Sequence, residues 1–179
     1  MIGRVEELRG ERVLLRPLRL EEERALWDLR ALGGFTGARS PGAVERFRKR
    51  IERSGELADG KLWFGIEVDG TLVGDIEARQ PIDALPPGVF EIGIALFPDS
   101  QRRGLGTEAV ATLTGYLFEV GAAERVQAGT ATWNEPMQKV LERLGYRREG
   151  VMRAFMPASG GRDDYVLYAV TRSDWDARS

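Results

Sequence analysis

The residues of this chain whose types and spacing could do chemistry lie together in Gln101-Arg102-Arg103-Gly104-Leu105-Gly106-Thr107. An apolar run, Val89–Phe97, reads as a strand leading into them. Pro98-Asp99-Ser100 breaks that strand, and a helical pattern follows from Thr107 to about Val120. A glycine-punctuated turn between a strand and a helix start aims backbone N–H groups and the positive end of a helix dipole at one point. Such a point suits an anion, and phosphates above all. Gly104 and Gly106 leave room for a ligand to approach the backbone, and the guanidinium groups of Arg102 and Arg103 suit phosphate oxygens. Two phosphate motifs are excluded. No Gly-Lys-Ser/Thr follows the glycines, and the third position of a dinucleotide fingerprint is Ala109.

The inventory of other reactive groups is short. The 179 residues include no cysteine and no histidine, which excludes disulfides, thiolate nucleophiles, Cys/His zinc sites and any triad that uses imidazole. Proton transfer therefore falls to Asp, Glu, Tyr, Lys or water, and direct attack without a covalent enzyme intermediate fits that inventory best. A formal charge of −2 with no run of like charge points to neither nucleic acid nor an anionic membrane surface. The apolar segments are shorter than a bilayer span and the N-terminus has no signal-peptide core, so the chain reads as soluble and cytoplasmic.

The elements that must position this loop follow from periodicity. Glu11–Leu18 reads as a strand ended by Pro17, and Leu20–Leu32 as a helix with an acidic start. After the connection Gly33–Gly37, a second helix runs from Pro41, with Val44, Phe47 and Ile51 on one face and Arg46, Arg48, Lys49, Arg50 and Arg53 solvated. Lys61–Val68 and Thr71–Arg79 form a hairpin across Asp69-Gly70. Pro81–Gly88 is a loop before the central strand. Past the Thr107–Val120 helix, with Gly121 as its C-cap, comes a strand over Arg125–Trp133. The next helix is capped by Asn134 and carries Met137, Val140, Leu141 and Leu144 as its apolar stripe. Tyr146–Met156 and Arg162–Val170 close the chain as a hairpin. The order is β-α-α-β-β-β-α-β-α-β-β, an α/β (α+β) arrangement in one domain over residues 1–179, with a core of about 11–172.

That order, with Q-x-x-G-x-G after a strand, resembles the GNAT superfamily of N-acetyltransferases over nearly the whole chain. The C-terminal third is most similar to the ribosomal-protein-alanine N-acetyltransferase branch. This likeness rests on Glu91-Ile92-Gly93, Glu124-Arg125-Val126, Asn134 followed by Leu144-Gly145-Tyr146-Arg147-Arg148-Glu149-Gly150, Arg162-Asp163-Asp164-Tyr165-Val166-Leu167-Tyr168, and Asp174-Trp175. The resemblance implies a mixed, mostly antiparallel sheet flanked by helices. It also implies acetyl-CoA as co-substrate, no metal, and attack of an amine on the thioester in a ternary complex. It sets the pantetheine against backbone groups of Leu96 and Phe97, and the pyrophosphate on Arg102, Arg103, Gly104, Leu105, Gly106 and Thr107. Asn134 would hydrogen-bond the pantetheine arm as well as cap its helix. The implied acceptor is an amine, either an N-terminal peptide or a small amine. Many relatives dimerise, so a homodimer is compatible with the likeness.

Glu91 is the candidate base. Alternation puts Glu91, Gly93 and Ala95 on one strand face and Phe90, Ile92, Ile94 and Leu96 on the other. The small residues would let a ligand lie close to the backbone, or would accommodate a packed helix. A carboxylate beside an isoleucine-rich strand is expected to be partly desolvated, which suits it to take a proton from an ammonium. Asp75 and Glu77 are the runners-up and read as a solvated face, with Arg79 a partner for either. Lys139 and Arg143 read as solvated helix. The ribosomal branch has a serine three residues after the asparagine to protonate the departing thiolate, and here that position is Met137. The wider superfamily often has a tyrosine seven residues after it, and here that is Leu141. Tyr146, Tyr165, Tyr168 and solvent remain as donors. An acyl-CoA-binding protein without turnover is therefore the second reading, and a phosphate-binding module unrelated to acyl transfer the third. The acceptor would lie between the first two helices and the loops at Pro81–Gly88 and Pro157–Gly161, where Asp83, Asp163 and Asp164 would suit a cation.

Overall fold

A computed structural model describes residues 3–32, 39–80 and 84–178. In chain order the elements are β1 (Leu8–Arg9), β2 (Leu14–Arg16), a 3-10 turn (Leu20–Glu22), α1 (Glu23–Leu32), α2 (Pro41–Glu52), β3 (Lys61–Val68), β4 (Thr71–Arg79) and β5 (Val89–Leu96). They continue with α3 (Leu105–Glu119), β6 (Arg125–Ala131), α4 (Glu135–Arg143), β7 (Arg147–Ala158), β8 (Gly161–Thr171) and α5 (Arg172–Asp176). The eight strands form one sheet in the order β1-β2-β3-β4-β5-β6-β8-β7. Every neighbouring pair is antiparallel except β5 and β6, which are parallel.

Two helix layers cover the sheet. On one face α3 and α4 bury Leu105, Val110, Leu113, Leu117 and Leu141 against Phe64, Ile76, Phe90, Ile92, Val126, Val166 and Tyr168. On the other, α1 and α2 lie over β3 and β4 through a smaller cluster of Leu18, Leu26, Trp27, Phe47, Ile51 and Trp63. Its rings meet edge to face, Trp27–Phe47 at 5.1 Å and Phe47–Trp63 at 5.4 Å.

The β3–β4 hairpin forms at its expected bounds. Asp69 (φ 49°) and Gly70 (φ 76°) are both left-handed, as a tight two-residue hairpin turn demands. Elsewhere the structure corrects the pattern. The first strand shortens to Leu14–Arg16 and gains a partner, β1, whose two residues are too few for alternation to show. Gly121 is not the C-cap of α3: Val120 is, and Gly121 donates to the Tyr116 carbonyl at 3.0 Å. The left-handed residue that turns the chain is Ala122 (φ 53°). The short α5 begins at a capping box of Thr171 and Asp174 and stacks Trp175 on Phe118 at 5.1 Å. Among the described residues no helix is long and apolar enough to cross a membrane.

Candidate active site

The site is built on a break in the sheet. Strands β5 and β6 share only three residue pairs, Val89↔Arg125, Phe90↔Val126 and Glu91↔Gln127, and then part. Strand β5 stays on β4 as far as Gly74↔Leu96. The Phe97 N–H donates to the Val73 carbonyl at 3.0 Å. The alternation of an antiparallel ladder then turns the C=O of Ile92 and the N–H and C=O of Ile94 and Leu96 away from β4 and into the gap. Because β5 and β6 are parallel, the gap opens at their carboxyl ends, with the starts of α3 and α4 on its two sides. Open sheets bind ligands at such a place.

Leu96 and Phe97, the two residues expected to offer backbone groups, differ in what they leave free. The Leu96 N–H faces the gap, while its carbonyl accepts from Gln101 Nε2 at 3.1 Å. The Phe97 N–H is committed to Val73, and its carbonyl accepts the Ser100 N–H at 2.9 Å, which leaves that oxygen one further lone pair.

The glycine turn is shaped for an anion. Gly104 is the N-cap of α3 and has no side chain to cap it. The N–H groups of Leu105, Gly106 and Thr107 therefore have no acceptor within the helix. Arg102 (φ 58°) and Gly104 (φ 80°) are both left-handed, which bends the backbone into a concave run of N–H groups. Leu105 contributes backbone alone, since its side chain is anchored in the core. Arg102 and Arg103 are exposed. A positive, backbone-lined concavity of this kind fits a pyrophosphate.

Two residues at this turn escaped the sequence reading. Glu108, in the first turn of α3, accepts the backbone N–H of Arg12, that of Val13 at 2.9 Å, and Arg12 Nε at 3.1 Å. Arg12 Nη1 in turn donates to the Arg103 carbonyl at 3.2 Å. Burial pushes the Glu108 carboxyl up, but the two backbone donors and the Arg12 guanidinium outweigh it and hold it below the usual range. The available signal was an acid two residues after the second glycine, with no way to see its partner on the first strand.

Glu91 stands where β5 and β6 last pair. Its carboxylate accepts from the Arg79 guanidinium and from Gln127 Nε2 at 3.3 Å, and its side chain is 32% exposed. The expected desolvation is thus partial and accompanied by an ion pair. Asp75 and Glu77 require a larger correction. They are not a solvated face but are 0% and 5% exposed, because α1 crosses here and brings Arg30 onto them. Arg30 Nε donates to Asp75 at 2.9 Å and Arg30 Nη2 to Glu77 at 3.0 Å. The Trp63 indole N–H also reaches Asp75, and Lys61 Nζ lies 2.9 Å from Glu77. Arg79 bridges Glu77, at 3.5 Å, and Glu91. Burial raises the Asp75 carboxyl even against Arg30. For Glu77, burial is outweighed by Arg30, Lys61 and Arg79, and its carboxyl is held low. Glu77 also lies across Gly93, its Cγ 3.7 Å from where a side-chain carbon there would stand, so a carboxylate and not a helix fills that space.

On the β6 side, Asn134 caps α4, its Oδ1 accepting the Met137 N–H at 3.3 Å. Asn134 and the glycine turn therefore flank one opening. Met137 packs half-buried on the core and Leu141 is fully buried. Of the three tyrosines, Tyr146 is buried with its hydroxyl on Thr114 at 2.7 Å, and Tyr168 is buried with its hydroxyl donating to Glu142 at 2.9 Å. Tyr165 is half-buried on the open face, its ring 3.6 Å from where a side-chain carbon on Gly129 would stand. Asp163 accepts from Trp133 Nε1, in the turn before α4, at 2.9 Å, and Asp164 accepts the Ala154 N–H within the β7–β8 hairpin at 2.6 Å. Asp83 and residues 33–38 lie outside the described residues. A separate cleft of about 330 Å³, lined by Thr114, Leu144, Trp175 and Arg178, lies between α3, α4 and α5 and holds none of the candidate residues.

A mostly antiparallel sheet that parts at a parallel pair, beside a glycine turn opening a helix, is the GNAT acetyltransferase fold. The chain belongs to the acetyltransferase (GNAT) domain family, which matches residues 12–147, and it is an N-acetyltransferase. The probable N-acetyltransferase YjcK of Bacillus subtilis is 26% identical over 183 residues, spanning 93% of this chain and 98% of its own length. The putative ribosomal N-acetyltransferase YdaF of the same organism is 28% identical over 142 residues, 78% of this chain and 76% of that one. RimL, a ribosomal L7/L12 alpha-N-protein acetyltransferase solved in complex with coenzyme A, shares the fold at 18% identity. Its TM-score is 0.75 over 94% of this chain and 99% of that one.

Proposed function

We propose that the chain transfers the acetyl group of acetyl-CoA to a primary amine, by direct attack within a ternary complex. The observation that carries this reading is the gap between β5 and β6, flanked by the uncapped start of α3 and by Asn134. Backbone N–H groups from Arg102 to Thr107, with the Arg102 and Arg103 side chains, would hold the pyrophosphate. The Leu96 N–H and Asn134 would hold the pantetheine. The amine enters over the sheet face that carries Glu91, Gly93 and Ala95. Its nitrogen bonds to the thioester carbon, the C–S bond breaks, and the ammonium proton passes to Glu91. Met137 and Leu141 cannot protonate the thiolate, and Tyr146 and Tyr168 are buried and committed, which leaves solvent or Tyr165.

The acceptor that this reading favours is the N-terminal amine of a protein, supported by relatives that carry ribosomal N-acetyltransferase names. The test is a panel of N-terminal peptides and small amines with acetyl-CoA, read by release of the CoA thiol. The chain has no cysteine, so every new thiol is product. Transfer to at least one amine class is expected. CoA binding with no transfer to any of them would establish the acyl-CoA-binding reading instead.

A further inference from the structure

One cation at the glycine turn does not come from the turn. Arg12 precedes β2, yet its Nη1 donates to the Arg103 carbonyl at 3.2 Å. Its Nη2 stands 3.1 Å from the point where a side-chain carbon on Gly104, the N-cap of α3, would lie. Glu108 holds both ends of the residue, the backbone N–H and, at 3.1 Å, the Nε. The side chain is still 51% exposed, so a ligand can reach it.

In the free protein the Glu108 carboxylate holds this placement against two repulsions. A cation over the positive end of a helix, beside two more arginines, is opposed by the dipole and by like charge. Tying β2 to α3 does not require it, because Glu108 already does that through the backbone N–H groups of Arg12 and Val13. An anion seated on the turn attracts the helix end and all three guanidinium groups at once, and so offsets these repulsions. Coenzyme A carries a pyrophosphate and a 3′-phosphate, more charge than Arg102 and Arg103 balance.

We propose that Arg12 is a third guanidinium of the phosphate site, contacting a phosphoryl oxygen of acetyl-CoA directly, and that Glu108 positions it. The proposal rests on the acetyl-CoA reading above. Removing one charge-assisted hydrogen bond of this kind weakens binding by about tenfold.

The experiment measures CoA and dephospho-CoA binding to wild type and Arg12→Gln by calorimetry at two salt concentrations. It also compares kcat/KM for acetyl-CoA and acetyl-pantetheine, which has no nucleotide phosphates. Arg12→Gln is expected to raise the Kd for CoA about tenfold, to flatten its salt dependence, and to narrow the preference for acetyl-CoA over acetyl-pantetheine by the same factor. Loss with both CoA and dephospho-CoA assigns the contact to the pyrophosphate, and loss with CoA alone assigns it to the 3′-phosphate; both support the proposal. Arg12→Lys keeps the charge but not the fork, so a smaller loss is expected, and it carries the test if Arg12→Gln does not fold. An unchanged Kd, or an equal loss with acetyl-pantetheine, overturns the proposal. A wild-type chain that binds no CoA overturns it together with the acetyl-CoA reading, whereas binding untouched by the substitutions overturns it alone.

Discussion

Glu91→Gln separates a chemical role from a structural one. The substitution keeps the size of the side chain but exchanges one carboxylate oxygen for an amide, and so loses the ion pair with Arg79. That pair is exposed on both sides, 39% for Arg79 and 32% for Glu91, so solvent screens it and its loss costs about 0.5–1 kcal/mol. In a chain of this length the melting temperature would fall by about 1–4 °C. Loss of a general base lowers turnover on the order of 10²–10⁴-fold, which is about 2.7–5.5 kcal/mol on the barrier. The chemical effect is several times the structural one, so well below the melting point the two cannot be confused. Initial rates by thiol release should fall by that factor on the plateau of the pH–rate profile, the acidic limb should flatten, and acetyl-CoA affinity should barely change. A fall of less than about threefold with the acidic limb intact would refute the assignment. Glu77, the carboxylate that lies across Gly93, would then be the next to test.

The glycine turn predicts a contrast between its two glycines. Gly104 sits at φ 80°, so Gly104→Ala should cost about 1–2 kcal/mol. Gly106 is helical with only ordinary contacts at 3.4 Å, so Gly106→Ala should hold or raise stability by about 0.5–1 kcal/mol; equal melting of the two variants would contradict the turn geometry. Glu108→Ala leaves the N–H of buried Val13 without an acceptor and should cost about 1–3 kcal/mol. The Glu108 carboxyl is held low in the folded chain, so its contribution is present above the ordinary carboxylate range and is lost as pH falls through the folded value. The stability gap between wild type and variant should therefore shrink on acidification, and a widening gap in denaturant titrations would reverse the argument. Met137→Ser should maintain or raise turnover at a packing cost of about 1–2 kcal/mol; a severe loss in a folded, CoA-binding protein would give Met137 a role that packing does not explain.

What the sequence made legible was local. The Asp69-Gly70 turn, the Asn134 cap and the strand–glycines–helix passage each carry their signal within a few residues, and each forms. What it hid depends on distant packing. Asp75 and Glu77 alternate with Val73, Gly74, Ile76 and Ala78 as though one face were wet, yet Val73–Ala78 is buried throughout because α1 lies across it. Nothing near β4 announces Arg30, 45 residues earlier, as the partner that makes two buried carboxylates tolerable. Arg12 and Glu108 are 96 residues apart and meet only because β2 and the first turn of α3 pack together. Which N–H groups face the gap is hidden for a subtler reason: the parity of the ladder, fixed by the Phe97–Val73 bond, decides it, and parity is not written in composition.

The parting of β5 and β6 also has a mechanical side. It divides the sheet into a block of five strands and a block of three, joined by three residue pairs in front and by the packing of α3 on α4 behind. A fold flexes most cheaply where the fewest backbone bonds resist, and that seam is where a ligand would lodge.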